Sequence, residues 1–242
     1  MRVLFIAACI LVLAIAVWVR RVTFFSSFVD RQALSQDLIL AAAYDYDYSL
    51  LSMQWPKSFC NTGQLECSQV PADFTIHGLW PQKNGRCRAR RTSIYDDAML
   101  KGNVSLTNTM NQTWPSLNAR KRNEKFWGDE WEKHGTCTNL KQNDYFKRTC
   151  DRATWVRRRL LSSLGKKGIR QGTSHHKDVY NKAVESGLNL TPTFQCKRNA
   201  SKVMLLLEIR FCVDKAGMQF INCSRGWIKR TQCDKVGKIA FP

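Results

Sequence analysis

The stretch VMLLLEIRFCV at residues 203–213 decides the fold class, together with DKAG at 214–217 and MQFINC at 218–223. Its apolar side chains alternate at Leu207, Ile209, Phe211 and Val213. This period of two predicts a strand, and the later apolar residues predict a second strand after a turn. A hairpin centred near Gly217 would place Cys212 opposite Cys223, and Cα atoms about 4.5 Å apart in such a pair are within reach of a disulfide.

Upstream of this hairpin the patterns are mostly helical. An opening strand is predicted at 46–55, and helices are predicted at 123–134, 144–164 and 177–186, the last of them stopped by Gly187. Helices and strands in separate runs indicate an α+β domain rather than alternating βαβ units.

The chain is long enough and apolar enough to fold, and it is strongly basic. Its 242 residues are 44% hydrophobic, with 38 Lys and Arg against 19 Asp and Glu and a net charge of +19. This composition excludes a disordered chain. The charge predicts attraction to polyanions, without choosing among nucleic acid, anionic polysaccharide and a membrane surface.

The N-terminal segment has the pattern of a secretory leader. Residues 3–19 are uncharged and follow Arg2, and small residues suited to cleavage occur at 14–16 and 41–43. With the later site, residues 1–43 are the leader and residues 44–242 are a single mature domain. A retained membrane anchor is the alternative, since the apolar run is almost long enough to span a bilayer.

Cysteines and glycosylation motifs also favour a secreted protein. Outside the leader the cysteines are Cys60, Cys67, Cys87, Cys137, Cys150, Cys196, Cys212, Cys223 and Cys233. Their number is odd, so at least one stays unpaired within the chain, and no CxxC pair begins a zinc site. Glycosylation is expected at Asn103, Asn111, Asn189 and Asn199, and is doubtful at Asn222 because its neighbour Cys223 is expected to pair.

Two segments of the sequence each contain a histidine with a distinctive set of neighbouring residues. In FTIHGLWP, residues 74–81, His77 stands between an apolar run and a glycine that permits close backbone approach, with Trp80 available for stacking. A hydrogen-bonded core histidine is the simpler interpretation of this segment taken alone.

The second segment is FWGDEWEKHGTC, residues 126–137. On a helix Phe126, Glu130 and His134 share one face, with Lys133 beside them. A surface ion-pair ladder or a metal site would also explain the stripe, although the adjacent lysine and the lack of a third ligand argue against metal.

Two histidines, a carboxylate and a lysine on a basic secreted protein suit the cleavage of RNA. The 2′-OH is a nucleophile already tethered beside the phosphorus, so the protein must move protons and neutralise charge. One imidazole can accept the 2′-OH proton, a second can protonate the departing 5′-oxygen, and a cation can stabilise the phosphate. The scheme requires no metal and no cofactor.

Together FTIHGLWP and WEKHGTC resemble the two active-site signatures of the ribonuclease T2 family, and the resemblance extends from about Tyr44 to Pro242. It implies a central antiparallel sheet flanked by helices, and cleavage of single-stranded RNA through a 2′,3′-cyclic phosphate. It implies His77 as general acid, His134 as general base, and Glu130 and Lys133 as the groups that bind the phosphate and tune His134. The implied base sites are Trp80 for one base and Gln54, Pro115, Ser116 and Phe126 for the other.

The resemblance also implies a disulfide pattern, which is Cys60–Cys67, Cys87–Cys137, Cys196–Cys233 and Cys212–Cys223. Cys150 is left over, and its place on the apolar face of a helix favours a buried thiol. Asp129 stands where many members have a third histidine, so we expect it to pair with Lys133 or face solvent. Gln82 replaces an acid that often follows the first motif, which leaves base preference open.

The strong positive charge is similar to that of the plant S-type ribonucleases of pistil self-incompatibility. Such a protein would be a secreted, extracellular monomer that meets an F-box-type protein partner from pollen. The polar segment at 83–111, predicted to be a loop, is where these proteins vary. A defence or phosphate-scavenging ribonuclease, or a polyanion-binding protein with incidental catalysis, are the alternatives.

Overall fold

The computed structural model describes residues 46–63, 65–68, 70–82, 94–223, 231–235 and 237–242. The residues from Tyr46 to Pro242 form one compact unit. The predicted leader at 1–43 and Cys87 lie outside the described residues. No helix of the described part is long and apolar enough to cross a membrane.

A seven-stranded sheet forms the centre of the unit. Its strands are β1 (Tyr48–Gln54), β2 (Thr75–Gln82), β3 (Thr173–His175), β4 (Thr193–Arg198), β5 (Met204–Val213), β6 (Phe220–Ile221) and β7 (Ile239–Phe241). Their order is β2-β1-β5-β7-β3, and β4 and β6 also pair with β5. The described pairs are antiparallel except β5 with β7, which meet in parallel at Leu205 and Ala240.

Helices in the described residues are α1 (Pro56–Cys60), α2 (Asp97–Lys101), α3 (Val104–Thr113), α4 (Asn123–Lys133), α5 (Gln142–Lys166) and α6 (Lys177–Leu188). The long helix α5 packs against β1, β2, α3 and α6. Its predicted apolar face is buried, and Tyr145 and Phe146 pack there against Trp114 and Trp131. These contacts confirm the predicted α+β class.

Helix α6 does not stop at Gly187. It continues to Leu188 and ends where Asn189 adopts a left-handed conformation with φ of 56°. Gly187 instead permits close packing, because a Cβ there would lie 1.9 Å from the hydroxyl oxygen of Ser163 on α5. The predicted boundary was therefore wrong, since the glycine serves a helix–helix contact.

The hairpin forms, but its register differs from the expected one. Cys212 pairs with Ile221 and Val213 with Phe220, so the turn is centred between Ala216 and Gly217. Cys223 consequently lies beyond the end of β6 and is not directly opposite Cys212. The two Cα atoms are still only 5.3 Å apart, and the predicted disulfide is present.

The segment predicted to be a loop at 83–111 contains helices in its described part. Asp96 caps α2 by accepting a hydrogen bond from the Met99 N–H, and Asn103 caps α3 by accepting one from the Leu106 N–H. The polar composition of the segment predicted a loop, but the polar side chains of Asp96 and Asn103 cap helices. The residues at 83–93 lie outside the described part.

Three predicted disulfides are present, Cys60–Cys67, Cys196–Cys233 and Cys212–Cys223. Cys137 is also disulfide-bonded, whereas its predicted partner Cys87 lies outside the described residues. Cys150 is a buried free thiol beside the hydroxyl of Thr113, as its position on the apolar face of α5 predicted.

Candidate active site

A bulge in β2 presents His77. On β1, Ser52 pairs with Gly78 and the next residue, Met53, pairs with Ile76, so His77 is the extra residue between two paired positions. A bulge bends a strand locally and redirects a side chain. The His77 side chain is 32% exposed, which leaves its ring accessible at the edge of a buried environment.

The inner nitrogen of His77 contacts a buried acid on β5. Nδ1 lies 2.5 Å from Oε1 of Glu208, and the other carboxylate oxygen of Glu208 accepts hydrogen bonds from Arg210. Sequence reasoning missed both residues. A signal existed, because Glu208 and Arg210 interrupt an otherwise apolar strand.

Glu130 approaches the same strand from helix α4. Trp80 donates its indole N–H to Oε2 of Glu130 across 2.9 Å. Only glycine fits beneath this bond, since a Cβ at Gly78 would lie 2.2 Å from both Oε2 of Glu130 and Nε1 of Trp80. The predicted role of Gly78 in close approach is therefore confirmed.

His134 lies at the C-terminal end of α4, where its backbone N–H bonds to the Glu130 carbonyl. Its ring centroid is 5.5 Å from that of Trp80, and the His77 ring meets the same indole at 4.9 Å in an edge-on arrangement. The fold thus brings the two motif histidines to one tryptophan, although they are far apart in the sequence.

The two imidazoles have opposite electrostatic environments. Burial lowers the pKa of His134 to about 4, assisted by the positive charges of His77 and Lys133. Burial also acts to lower the pKa of His77, but the hydrogen bond and charge of Glu208, with the charge of Glu130, outweigh it and raise that pKa. Near neutral pH the arrangement favours a neutral His134 beside a protonated His77.

Glu130 and Lys133 act on this pair through their charges. Burial raises the pKa of Glu130, against the opposing effects of His77, Trp80 and Lys133. Lys133 is exposed, and its charge acts on both Glu130 and His134.

Asp129 neither pairs with Lys133 nor faces solvent freely. Its carboxylate lies 2.8 Å from the Lys121 ammonium and 2.7 Å from that of Lys125, the residue one turn earlier on α4. The expectation was wrong because it considered only the later turn of the helix and overlooked the basic segment before it.

The residues implied for a second base site lie on β1, on α4 and in the segment before α4. Phe126 lies with its ring centroid 6.3 Å from that of His77. Pro115 and Ser116 precede α4, and the Ser116 N–H is bonded to the side chain of Asn123 at its first turn. Gln54 is buried at the end of β1, where it pairs with Thr75 and with Glu208.

Trp80 also lines a pocket of about 260 Å³. Trp80, Gln82 and Arg210 line it, together with Tyr48, Leu50, Thr193, Gln195, Thr231 and the Cys212–Cys223 disulfide. The Arg210 guanidinium lies 4.8 Å from the Trp80 ring centre, so one face of this indole is covered by a cation.

Comparisons with known proteins point to a single family. Residues 46–223 match the model of the Ribonuclease T2 family. Intracellular ribonuclease LX and extracellular ribonuclease LE, both from Solanum lycopersicum, are each 34% identical. The match to LX spans 77% of this chain and 81% of that protein, and the match to LE spans 82% and 90%. Ribonuclease S-1 from Pyrus pyrifolia is 29% identical over 78% of this chain and 85% of its own length.

A solved structure shows the same fold. The crystal structure of RNase NT in complex with 5′-AMP superposes with a TM-score of 0.71 at 31% identity, covering 82% of this chain and 98% of that one. The matching motifs, the fold and the relatives lead to one conclusion: this chain is a ribonuclease and belongs to the ribonuclease T2 family.

Proposed function

We propose that this protein is a metal-independent endoribonuclease that cleaves single-stranded RNA by transphosphorylation, through a 2′,3′-cyclic phosphate. The observation that carries the proposal is the pair of imidazoles on one indole, with the pKa of His134 lowered and that of His77 raised. One ring is thereby prepared to accept a proton and the other to deliver one.

In the proposed reaction, neutral His134 accepts the proton of the 2′-OH as its oxygen attacks phosphorus. The bond from phosphorus to the 5′-oxygen breaks, and His77 gives its proton to that oxygen. Lys133, with its exposed ammonium beside His134, stabilises the added negative charge on the phosphate. Glu130 holds Trp80 in place through a hydrogen bond, and its negative charge favours the protonated form of His77.

Two base sites flank the reacting phosphate in this proposal. Trp80 and the pocket containing Gln82 and Arg210 take one base. Phe126, close to His77, forms a wall of the second site with Gln54, Pro115 and Ser116. A tryptophan face suits any base, so base preference would come from polar groups such as Gln82.

The activity is tested with purified protein and a single-stranded RNA, with a DNA of the same sequence as control. His134→Ala and His77→Ala should each reduce RNA cleavage by about 100-fold or more. DNA should remain intact, and chelators should leave the rate unchanged. Full activity of either variant would overturn the proposal, as would the absence of a cyclic phosphate product.

We further propose that the mature protein, residues 44–242, is secreted as a glycosylated monomer after removal of residues 1–43. Asn103, Asn111 and Asn189 are exposed and Asn199 is half-buried, so attachment of glycans is compatible with the fold. The disulfides suit an oxidising compartment. N-terminal sequencing and the mass of the protein recovered from medium test this proposal, and retention of residues 1–43 would contradict it.

For the biological role, we propose the pistil determinant of gametophytic self-incompatibility, acting with an F-box-type protein partner from pollen. The strong net positive charge supports it, as does the similarity to ribonuclease S-1. The second candidate is a defence or phosphate-scavenging enzyme, favoured by the 34% identity to ribonucleases LX and LE. Pistil-restricted expression with allelic diversity distinguishes the first from the second.

A role by binding alone gives a different result. A double variant, His77→Ala with His134→Ala, should lose the biological effect if RNA cleavage is the basis of that effect. If the double variant retains it, the protein acts through polyanion or partner binding.

A further inference from the structure

Glu208 is a buried carboxylate in the middle of an apolar strand. It is 3% exposed, and the β5 residues Leu206, Ile209 and Phe211 around it are fully buried. An ionised acid in such surroundings is costly unless other charges and hydrogen bonds compensate it. Its presence therefore calls for an explanation beyond the packing of the sheet.

Both oxygens of Glu208 have charged or polar partners. Oε1 lies 2.5 Å from Nδ1 of His77. Oε2 accepts from Arg210 twice, at 2.8 Å from Nε and 2.6 Å from the terminal nitrogen. Burial alone raises the pKa of Glu208, but the hydrogen bonds and charges of His77 and Arg210 outweigh it and lower that pKa to about 2.

A bulge in the sheet helps to bring His77 and Glu208 together. They lie on strands β2 and β5, which are separated by β1. His77 is the bulged residue of β2, and the pairing of β4 with β5 skips Leu207, the residue before Glu208. Since a bulge redirects side chains, the one at His77 allows contact across the intervening strand.

We propose that Glu208 is the positioning residue of His77: by accepting the Nδ1–H it orients the imidazole so that the proton for the departing 5′-oxygen leaves from Nε2. The proposal rests on the function proposed above. Glu208 takes no proton itself, and after the transfer His77 remains neutral with its proton on Nδ1. Arg210 keeps Glu208 ionised. Because the Arg210 guanidinium also lies over the Trp80 ring, it connects Glu208 to Trp80.

The charged groups that face His77 are Glu208, Glu130, Arg210 and His134. The two carboxylates favour the protonated ring, whereas Arg210, His134 and burial oppose it. Glu208 is hydrogen-bonded to the ring at Nδ1 and also acts through its charge, so its removal should affect His77 the most. A purely structural role for Glu208 would not predict this effect.

The first test uses the unmodified protein labelled with ¹⁵N. At a pH above the His77 titration, the neutral ring should carry its proton on Nδ1, which long-range ¹H–¹⁵N correlation distinguishes from the Nε2 tautomer. Only four histidines are present, and the spectrum of His77→Gln assigns the signals. A neutral ring protonated on Nε2 would overturn the proposal without any variant of Glu208.

The second test compares Glu208→Gln with Glu208→Asp, using Glu185→Gln as control. Glu185 is an exposed acid on α6, so the control makes the same chemical change on another surface. His77 should titrate at lower pH in Glu208→Gln, at an intermediate pH in Glu208→Asp, and as in the unmodified protein in the control. An unchanged His77 titration in a folded Glu208→Gln variant counts against the proposal.

The third test is kinetic. With a dinucleoside phosphate, Glu208→Gln should lower kcat by about 10- to 100-fold, which is the typical effect of losing a residue that orients a reacting group. The KM should change by no more than about twofold. The alkaline limb of the pH profile should move to lower pH. With a nucleoside 3′-(4-nitrophenyl phosphate), whose leaving group needs no proton, the loss should be less than about threefold.

Equal losses on both substrates would show that Glu208 does not act through the proton donated by His77. The outcomes also separate this proposal from the previous one. If His77→Ala and His134→Ala are inactive while Glu208→Gln is fully active, only the role of Glu208 is wrong. If the two histidine variants are active, the proposed reaction fails, and the titration still decides whether Glu208 controls His77.

Discussion

Gly78 lies so close to Glu130 that a Cβ at position 78 would be 2.2 Å from the carboxylate oxygen Oε2. The hydrogen bond between that oxygen and the Trp80 indole depends on this closeness. Because both histidines contact Trp80, the arrangement of the whole site depends on the absence of a side chain at Gly78.

Replacing Gly78 with alanine should therefore impair catalysis. Gly78→Ala displaces Glu130 and Trp80, and misplacement on this scale reduces kcat/KM by about 10- to 100-fold. Steady-state kinetics on a dinucleoside phosphate measure the effect. The matched control is Gly165→Ala on α5, where a Cβ meets nothing within 4 Å, so activity should be unchanged. Full activity of Gly78→Ala would show that the Glu130–Trp80 contact is dispensable.

Lys133 should control the acidic limb of the pH profile. Its positive charge helps burial to lower the pKa of His134 to about 4. Removing that charge in Lys133→Gln raises the pKa of His134, so the base becomes neutral only at higher pH and the acidic limb of kcat/KM moves upward. The value of kcat should also fall, by about 10-fold or more, because a cation is lost from the transition state.

Lys182→Gln on α6 is the control for Lys133, because it removes an exposed lysine from another helix. Its profile should coincide with that of the unmodified protein. If the acidic limb of Lys133→Gln does not move, the charge of Lys133 does not act on His134 as the structure indicates.

Asp129 should stabilise the fold in a pH-dependent way without contributing to catalysis. Burial acts to raise its pKa, but the hydrogen bonds and charges of Lys121 and Lys125 outweigh this and lower it. Because the folded-state pKa lies below the unfolded-state value, the stabilisation is present at neutral pH and is lost as the pH falls through the folded-state pKa.

Asp129→Asn should therefore lower Tm at pH 7 by about 2 °C, the scale of a partly exposed ion pair in a domain of this size. The difference should shrink below about pH 4, where the carboxylate begins to protonate. Calorimetry at several pH values measures it, with Glu132→Gln, an exposed acid on the same helix, as control. A constant difference from pH 7 to pH 2 would contradict the ion-pair explanation.

Cys150 should be chemically silent in the folded protein. Burial raises the pKa of its thiol to about 12, against the hydrogen bond from Thr113. The reactive thiolate is therefore scarce as well as inaccessible. Iodoacetamide followed by peptide mass mapping should label Cys150 only after unfolding. Labelling of the native protein at Cys150, or a disulfide-linked dimer through it, would contradict this prediction.

The sequence was most informative where the pattern is local. The β5 strand, the long helix α5 and the helix that presents Glu130 all follow from short-range periodicity, since one face of each is buried. Element ends were less predictable, as Gly187 shows. A glycine can end a helix or permit close packing, and only its contact with Ser163 distinguishes the two.

His77 and His134 could be identified from the sequence because each lies in a contiguous motif, where neighbouring residues carry the information. Glu208 stands out in the sequence as a charge in an apolar strand, but its contact with His77 could not be predicted, because the two residues are 131 positions apart and meet through the bulge in β2 and the pairing of three strands. Asp129 is an intermediate case, because its partner Lys125 lies one turn away on the same helix whereas its contact with Lys121 depends on how the chain enters α4. Short-range chemistry thus specified the reacting groups, whereas the contacts that set their protonation arise from strand register and burial, which no local pattern encodes.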